Sequence, residues 1–131
     1  GAFGFDGVGA VMADLGDKDV VVIYSTCPDA QTATTIGRAL VEDRLAACVN
    51  ILPDMRSIYR WDGAISEDRE VVLIAKSQRG LVQEVTVRIR ALHPFDTPAV
   101  VALDVIDGSA DYLTWVLAET KVSRSPGVRS D

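Results

Sequence analysis

A proline stands at position 53, inside a stretch from Ala47 to Trp61 that otherwise has the composition of extended structure. Proline has no backbone N–H to give to a neighbouring strand, so a strand containing it belongs at the margin of a sheet or at a bulge. Alternation is clearest at Met55, Ser57, Tyr59 and Trp61, and Asp62-Gly63 follows as a turn signal. The chain is expected to return through Val71-Val72-Leu73-Ile74-Ala75. The resulting hairpin, residues 47–77, is longer than a four-stranded domain of this size needs. It carries apolar Ile51, Leu52, Ile58 and Tyr59. A long apolar edge without a partner strand invites another chain. The sequence therefore predicts an oligomer joined through this hairpin.

The remaining pattern places that hairpin in a fold. Val20-Val21-Val22-Ile23-Tyr24 is a continuous β-branched run, predicting a strand buried on both faces. After Pro28-Asp29, the residues Ala33, Ile36, Leu40 and Val41 recur at the spacing of one helix face. A second helix is expected from Leu81 to Leu92, with Leu81, Val85, Ile89 and Leu92 on its apolar side and Pro94 ending it. Val100–Ile106 reads as a further strand and Tyr112–Glu119 as a short final helix. The order β-α-β-β-α-β with a C-terminal helix predicts an α+β, ferredoxin-like sandwich, two helices on one face of a four-stranded sheet. Residues 19–120 form this domain. Residues 1–18 read as a flexible lead-in, since five of the ten glycines fall before Lys18, and residues 121–131 read as a flexible polar tail. The first methionine is Met12, where a natural start is expected.

Composition narrows the partners. Thirteen Lys+Arg against 19 Asp+Glu give a net charge of −6 at pH 7, which repels phosphate backbones and anionic lipid. Neither nucleic acid nor a membrane is expected as a partner, and no apolar run reaches 18 residues. Two cysteines, Cys27 and Cys48, are too few for a disulfide framework and fit a reducing, cytoplasmic setting.

Several motifs in order along residues 20–119 resemble the CutA family of divalent-cation-tolerance proteins. They are Arg44-Leu45-Ala46-Ala47-Cys48-Val49-Asn50-Ile51, then Ser57-Ile58-Tyr59-Arg60-Trp61-Asp62-Gly63, with Glu70 and Lys76 bracketing the third strand. His93-Pro94-Phe95 and Pro98 follow, and Tyr112-Leu113-Thr114-Trp115-Val116 closes the series. The resemblance implies a ferredoxin-like homotrimer whose long hairpins pair between subunits, with a link to tolerance of copper and other divalent cations. Members commonly have Tyr at the position of Phe95 and Glu at that of Ala99, and some carry Cys at that of Ser25. Of three positions proposed as metal-related in such relatives, this chain retains His93.

Candidate chemistry is sparse. His93, the one histidine, is the candidate ligand for Cu(II) or another divalent metal, and a neighbouring chain would have to complete its site. Cys27 sits where the first strand meets the first helix, where a helix N-terminus lowers a thiol's pKa. It could then act as a nucleophile with His93 as base. Cys48, between Ala47 and Val49, reads as a small buried hydrophobe. Tyr59, Trp61, Glu70, Lys76, His93, Tyr112 and Trp115 are the expected ligand-pocket residues, aromatics with a few charges. Trp61 also reads as an interface anchor. No nucleotide-loop, zinc-protease or nucleophile-elbow motif occurs, and no enzymatic activity is expected. The alternative function is a signalling module of the nitrogen-regulatory PII type, which takes a small anionic ligand between subunits.

Overall fold

A computed structural model describes residues 19–122. The expected lead-in of residues 1–18 and the tail from Ser123 onward lie outside the described residues. The elements run β1 (Val20–Cys27), α1 (Ala30–Glu42), β2 (Cys48–Trp61), β3 (Ala64–Gln78), α2 (Val82–Leu92, preceded by one 3-10 turn at Arg79–Leu81), β4 (Val100–Asp104) and α3 (Ala110–Glu119). The strands form one antiparallel sheet in the order β2-β3-β1-β4, the ferredoxin-like arrangement, with β2 at an edge as Pro53 requires.

Side-chain alternation divides the sheet into two faces. Val21, Ile23, Cys27, Val71, Leu73 and Ala75 point at α1 and α2 and meet Ala33, Ile36, Leu40, Leu81, Val85 and Ile89 in one core. Each fully buried Leu, Ile or Val there contributes about 1.5–3 kcal/mol. Asp29 caps α1, its side chain accepting from the Thr32 N–H at 2.7 Å. At the other end Arg44 takes φ 58, and the Leu45 N–H reaches back to the Leu40 carbonyl at 2.9 Å. That bond closes the helix without a glycine.

Among the described residues the opposite face is covered at one end only. Helix α3 lays Leu113 and Val116 over Val20, with Val105 beside them. Ser109 caps it. Next comes a row across the sheet, Cys48–Lys76–Val22–Leu103, then a row Asn50–Ile74–Tyr24–Val101, then Leu52–Val72–Thr26. Leu52, Val101 and Leu103 are each about half exposed.

The sequence reading is corrected at five places. The first strand is not buried on both faces, because Val22, Tyr24 and Thr26 face the half-open side. Val41 is exposed, since it borders the open groove between α1 and the edge strand β2. The fourth strand stops at Asp104 and the last helix starts two residues early, at Ala110. Lys121, assigned to the tail, is held by its N–H to the Arg44 carbonyl and by Nζ to Glu84, each at 2.8 Å.

Candidate functional site

The seven residues expected to line one pocket fall at three places in the chain. Lys76, through its cross-strand neighbour Cys48, and Tyr112 with Trp115 lie at the rim of α3. Glu70 and His93 lie near the C-terminal end of β1. Tyr59 and Trp61 stand at the far end of the hairpin, some eleven residues along β2 from Cys48, a distance of roughly 35 Å in extended chain. One copy does not bring them together.

At the rim, β2 places Cys48 directly opposite Lys76 on β3. Helix α3 lowers Tyr112 onto them, so that Tyr112 Oη lies 3.4 Å from Cys48 Sγ. Cys48 is therefore half-buried and polar in its contact, not the enclosed small hydrophobe that its neighbours suggest. Its hydrogen bond, followed by desolvation and the sulfur's charge, pushes the Tyr112 phenol up to about 12. Trp115 lies beside Tyr112, ring centroids 5.7 Å apart. Lys76 Nζ donates to Asn50 Oδ1. Asn50 is the rim residue that sequence reasoning did not single out, and Cys48 the one it assigned to the core. Their alternation with Val49 on an edge strand is the signal that puts them on one face.

His93 ends α2 and is 7% exposed. One ring nitrogen, Nε2, is 2.8 Å from the Thr26 carbonyl, and the other, Nδ1, accepts the Phe95 N–H at 3.1 Å. A carbonyl can only accept and an amide N–H can only donate, so the ring carries its proton on Nε2. Both nitrogens are thus engaged in holding the loop after α2 against β1. Ser25, on the same strand, donates to the Ala99 carbonyl at 2.6 Å and reinforces that attachment.

Cys27 contradicts the expectation of an activated thiol. It is fully buried, and its pKa is raised to about 11, first by burial and then by the charges of Asp29 and Glu70. The Asp29 side chain, not the thiol, serves the first turn of α1. His93, committed to Thr26 and Phe95, is not set as its base.

Beyond β1 the two hairpin strands continue alone. Cys27 pairs with Val71, so residues 55–61 and 64–70 have only each other. Between Leu52 and Met55 the register shifts: two residues of β2, Pro53 and Asp54, stand against one of β3, and Asp54 takes φ 65. This bulge exchanges odd for even. Met55, Ser57, Tyr59 and Trp61 consequently share the face of Cys48, Asn50 and Leu52. Tyr24 Oη donates to Met55 Sδ at 3.5 Å across that boundary. Tyr59 donates to Asp68, which raises its pKa, and Trp61 is 67% exposed.

Two grooves lie on the helical side. One, of about 450 Å³, is bordered by Leu45, Val87 and Ala91 with Asp43, Glu84 and Arg88, and the other, of about 310 Å³, runs between α1 and β2. Neither contains any of the seven residues. Among the described residues no three His, Cys, Asp or Glu side chains are grouped to hold a metal, and no helix is long and apolar enough to cross a membrane.

Known proteins share this arrangement. Residues 21–119 match the family described as CutA1 divalent ion tolerance protein. The divalent-cation tolerance protein CutA of Thermus thermophilus is 44% identical over 99 residues, 76% of this chain and 96% of that protein. Human protein CutA is 45% identical over 102 residues, 78% of this chain and 57% of that longer protein. A plant relative from Arabidopsis thaliana, 37% identical, is described as chloroplastic. Among solved structures, the Thermus thermophilus protein superposes with a TM-score of 0.77 at 43% identity, covering 78% of this chain and 99% of that one. CutA from Xylella fastidiosa gives 0.77 at 44%, covering 79% and 99%. Sequence and architecture agree over the whole described sheet and its helices, and the chain belongs to the CutA family of divalent-ion tolerance proteins.

Proposed function

We propose that this chain acts as a homotrimer in divalent-cation tolerance, copper foremost, and that it takes metal or a small ligand in clefts between copies. The observation that carries the reading is the ribbon beyond β1. A two-stranded ribbon is marginal alone in water, yet this one projects Met55, Tyr59 and Trp61 on the face that also carries Leu52. Pairing with a second copy would cover both that stripe and the rows of Tyr24 and Thr26. Large aromatics in such positions are the usual anchors of an interface. A cleft would then remain between α3 and the neighbouring copy, along the row that contains Lys76.

A metal site would draw its donors from more than one copy. His93 could join it by releasing the Phe95 N–H from Nδ1. Light scattering on dilute full-length chain is expected to give three times the 14.1 kDa chain mass. Trp61→Ala should shift that mass downward. A folded monomer in the unaltered protein would sink the assembly. Titration of Cu(II) into wild type and His93→Ala tests the metal: weaker binding in the variant assigns His93, and identical heats remove it.

A further inference from the structure

Among the described residues, Lys76 is the half-buried cation with no ion pair to a carboxylate. Among the described residues, Arg44, Arg56, Arg69, Arg79, Arg88 and Lys121 each lie within 4.0 Å of an Asp or Glu oxygen. Arg38, Arg60 and Arg90 have no such ion pair but are exposed, where water screens them. Lys76 is neither paired with a carboxylate nor fully in solvent, in a chain whose net charge is −6. Removing part of an ammonium's hydration without an opposite charge is costly. A lysine commonly avoids this by stretching its head into water. Here the head is turned along the sheet instead and donates to Asn50 Oδ1, a neutral acceptor. An ammonium has three N–H groups, and this contact uses one.

The surroundings complete a site. Tyr112 contacts Cys48, the direct cross-strand neighbour of Lys76. Either member of the Cys48 Sγ–Tyr112 Oη contact can donate, and with the thiol S–H donating to Oη the phenol O–H is left for a ligand. On the other flank of Lys76 the row continues through Val22 to Leu103, which is 55% exposed. The row therefore sets Lys76 between Cys48, which carries the Tyr112 phenol, and the apolar Val22 and Leu103.

We infer that Lys76 and Tyr112 form the head-group site for a small organic oxyanion, whose apolar body lies over Val22 and Leu103. The inference deepens the small-ligand half of the function proposed above and rests on that half. It does not depend on the trimer, because one copy supplies every named residue. A carboxylate or a phosphate would satisfy the head equally, and the apolar shelf favours a ligand with a hydrocarbon body. Charge-assisted hydrogen bonds to such a head are the strong kind.

The test is calorimetric titration of the full chain with sodium benzoate and, separately, with inorganic phosphate, alongside light scattering of the same samples. Benzoate should bind saturably and phosphate several-fold more weakly. Lys76→Met should weaken benzoate at least tenfold and Tyr112→Phe several-fold, whereas Lys76→Arg should retain binding. Absence of saturable binding by both anions overturns the site, as does Lys76→Met titrating like wild type at an unchanged assembly mass. Phosphate binding as tightly as benzoate overturns the shelf. Should Lys76→Met lose its assembly, Tyr112→Phe carries the test, and its failure to weaken binding overturns the site. Anion binding by a chain that scatters as a monomer would leave the site standing and remove only the trimer.

Discussion

Helix α1 crosses β2 at Gly37, and a single methyl group added there should report how closely the two are packed. A Cβ at Gly37 would lie 2.9 Å from Val49 Cγ1, 3.5 Å from Val49 Cβ and 3.9 Å from Ile51 Cδ1. Two effects oppose each other in Gly37→Ala. Replacing a helix-interior glycine by alanine is favourable by about 1 kcal/mol. Crowding a β-branched valine, whose χ1 has little freedom to swing away, costs about 1–3 kcal/mol. The clash wins, for a net loss of about 1 kcal/mol. In a Val49→Ala background the offending methyl is gone and the 3.5 Å contact is ordinary. There the same substitution should stabilise by about 1 kcal/mol, relative to Val49→Ala itself. The coupling between the sites is then about 1–3 kcal/mol, within the range for residues in contact. Urea unfolding of all four proteins, at one protein concentration so that assembly contributes equally, measures it. Equal stabilisation by Gly37→Ala in both backgrounds would refute the reasoning, since it would mean that α1 does not rest on Val49.

Three further outcomes are expected. His93→Ala orphans the Thr26 carbonyl and the Phe95 N–H and should cost about 2–3 kcal/mol in urea unfolding; a loss below about 0.5 kcal/mol would show that the loop is held by other contacts. Cys27 ionises near 9.0 in the unfolded chain but near 11 in the folded one, so the folded state retains a proton that the unfolded state gives up between those values. The stabilisation present below pH 9 should thus be lost as pH rises toward 11, and Cys27→Ala should flatten that part of the stability curve; an equal slope in the variant would rule out this thiol as the source. Deleting Asp54 removes the residue at φ 65 and leaves one residue of β2 opposite one of β3, so Met55, Tyr59 and Trp61 keep their face; the assembly mass measured by light scattering should not change, and a smaller mass would mean that the bulge itself shapes the contact.

Much of the fold was legible because its signals are local. Proline at 53 marked an edge strand, Asp62-Gly63 marked the turn, and the apolar spacings of 33–40 and 81–89 marked two helices that do pack on one face. What could not be read depends on contacts between distant residues. The position of Val41 in the apolar pattern predicts burial, but whether a helix face is covered depends on how far the sheet extends beneath it, which no helical period records. The pairing of Cys48 with Tyr112 joins residues 64 apart in sequence. It depends on α3 returning to the second face of the sheet, and nothing in the ten residues of that helix says which face it will choose. The Cys27 expectation failed for a related reason: its place before a helix is a local fact, while its burial and the approach of Glu70 are tertiary ones.

The parity of the hairpin joins these threads. Without Pro53 and Asp54 taking two places against one, strict alternation from Cys48 would carry Arg56, Ile58 and Arg60 onto the half-open face and send Tyr59 and Trp61 to the other. The bulge lets a single strand serve two surfaces in succession. Its first residues, Cys48 and Asn50, frame the Lys76 head group beside α3, and its last, Tyr59 and Trp61, extend the apolar stripe past the end of β1. The same face is thereby polar where α3 covers its margin, and apolar and exposed along Leu52, Tyr59 and Trp61. That division follows from strand length alone. Strand β1 has eight residues and β3 has fifteen, so a ribbon must overhang. The bulge, by setting which side chains the overhang presents, makes it continuous with the open rows of the sheet.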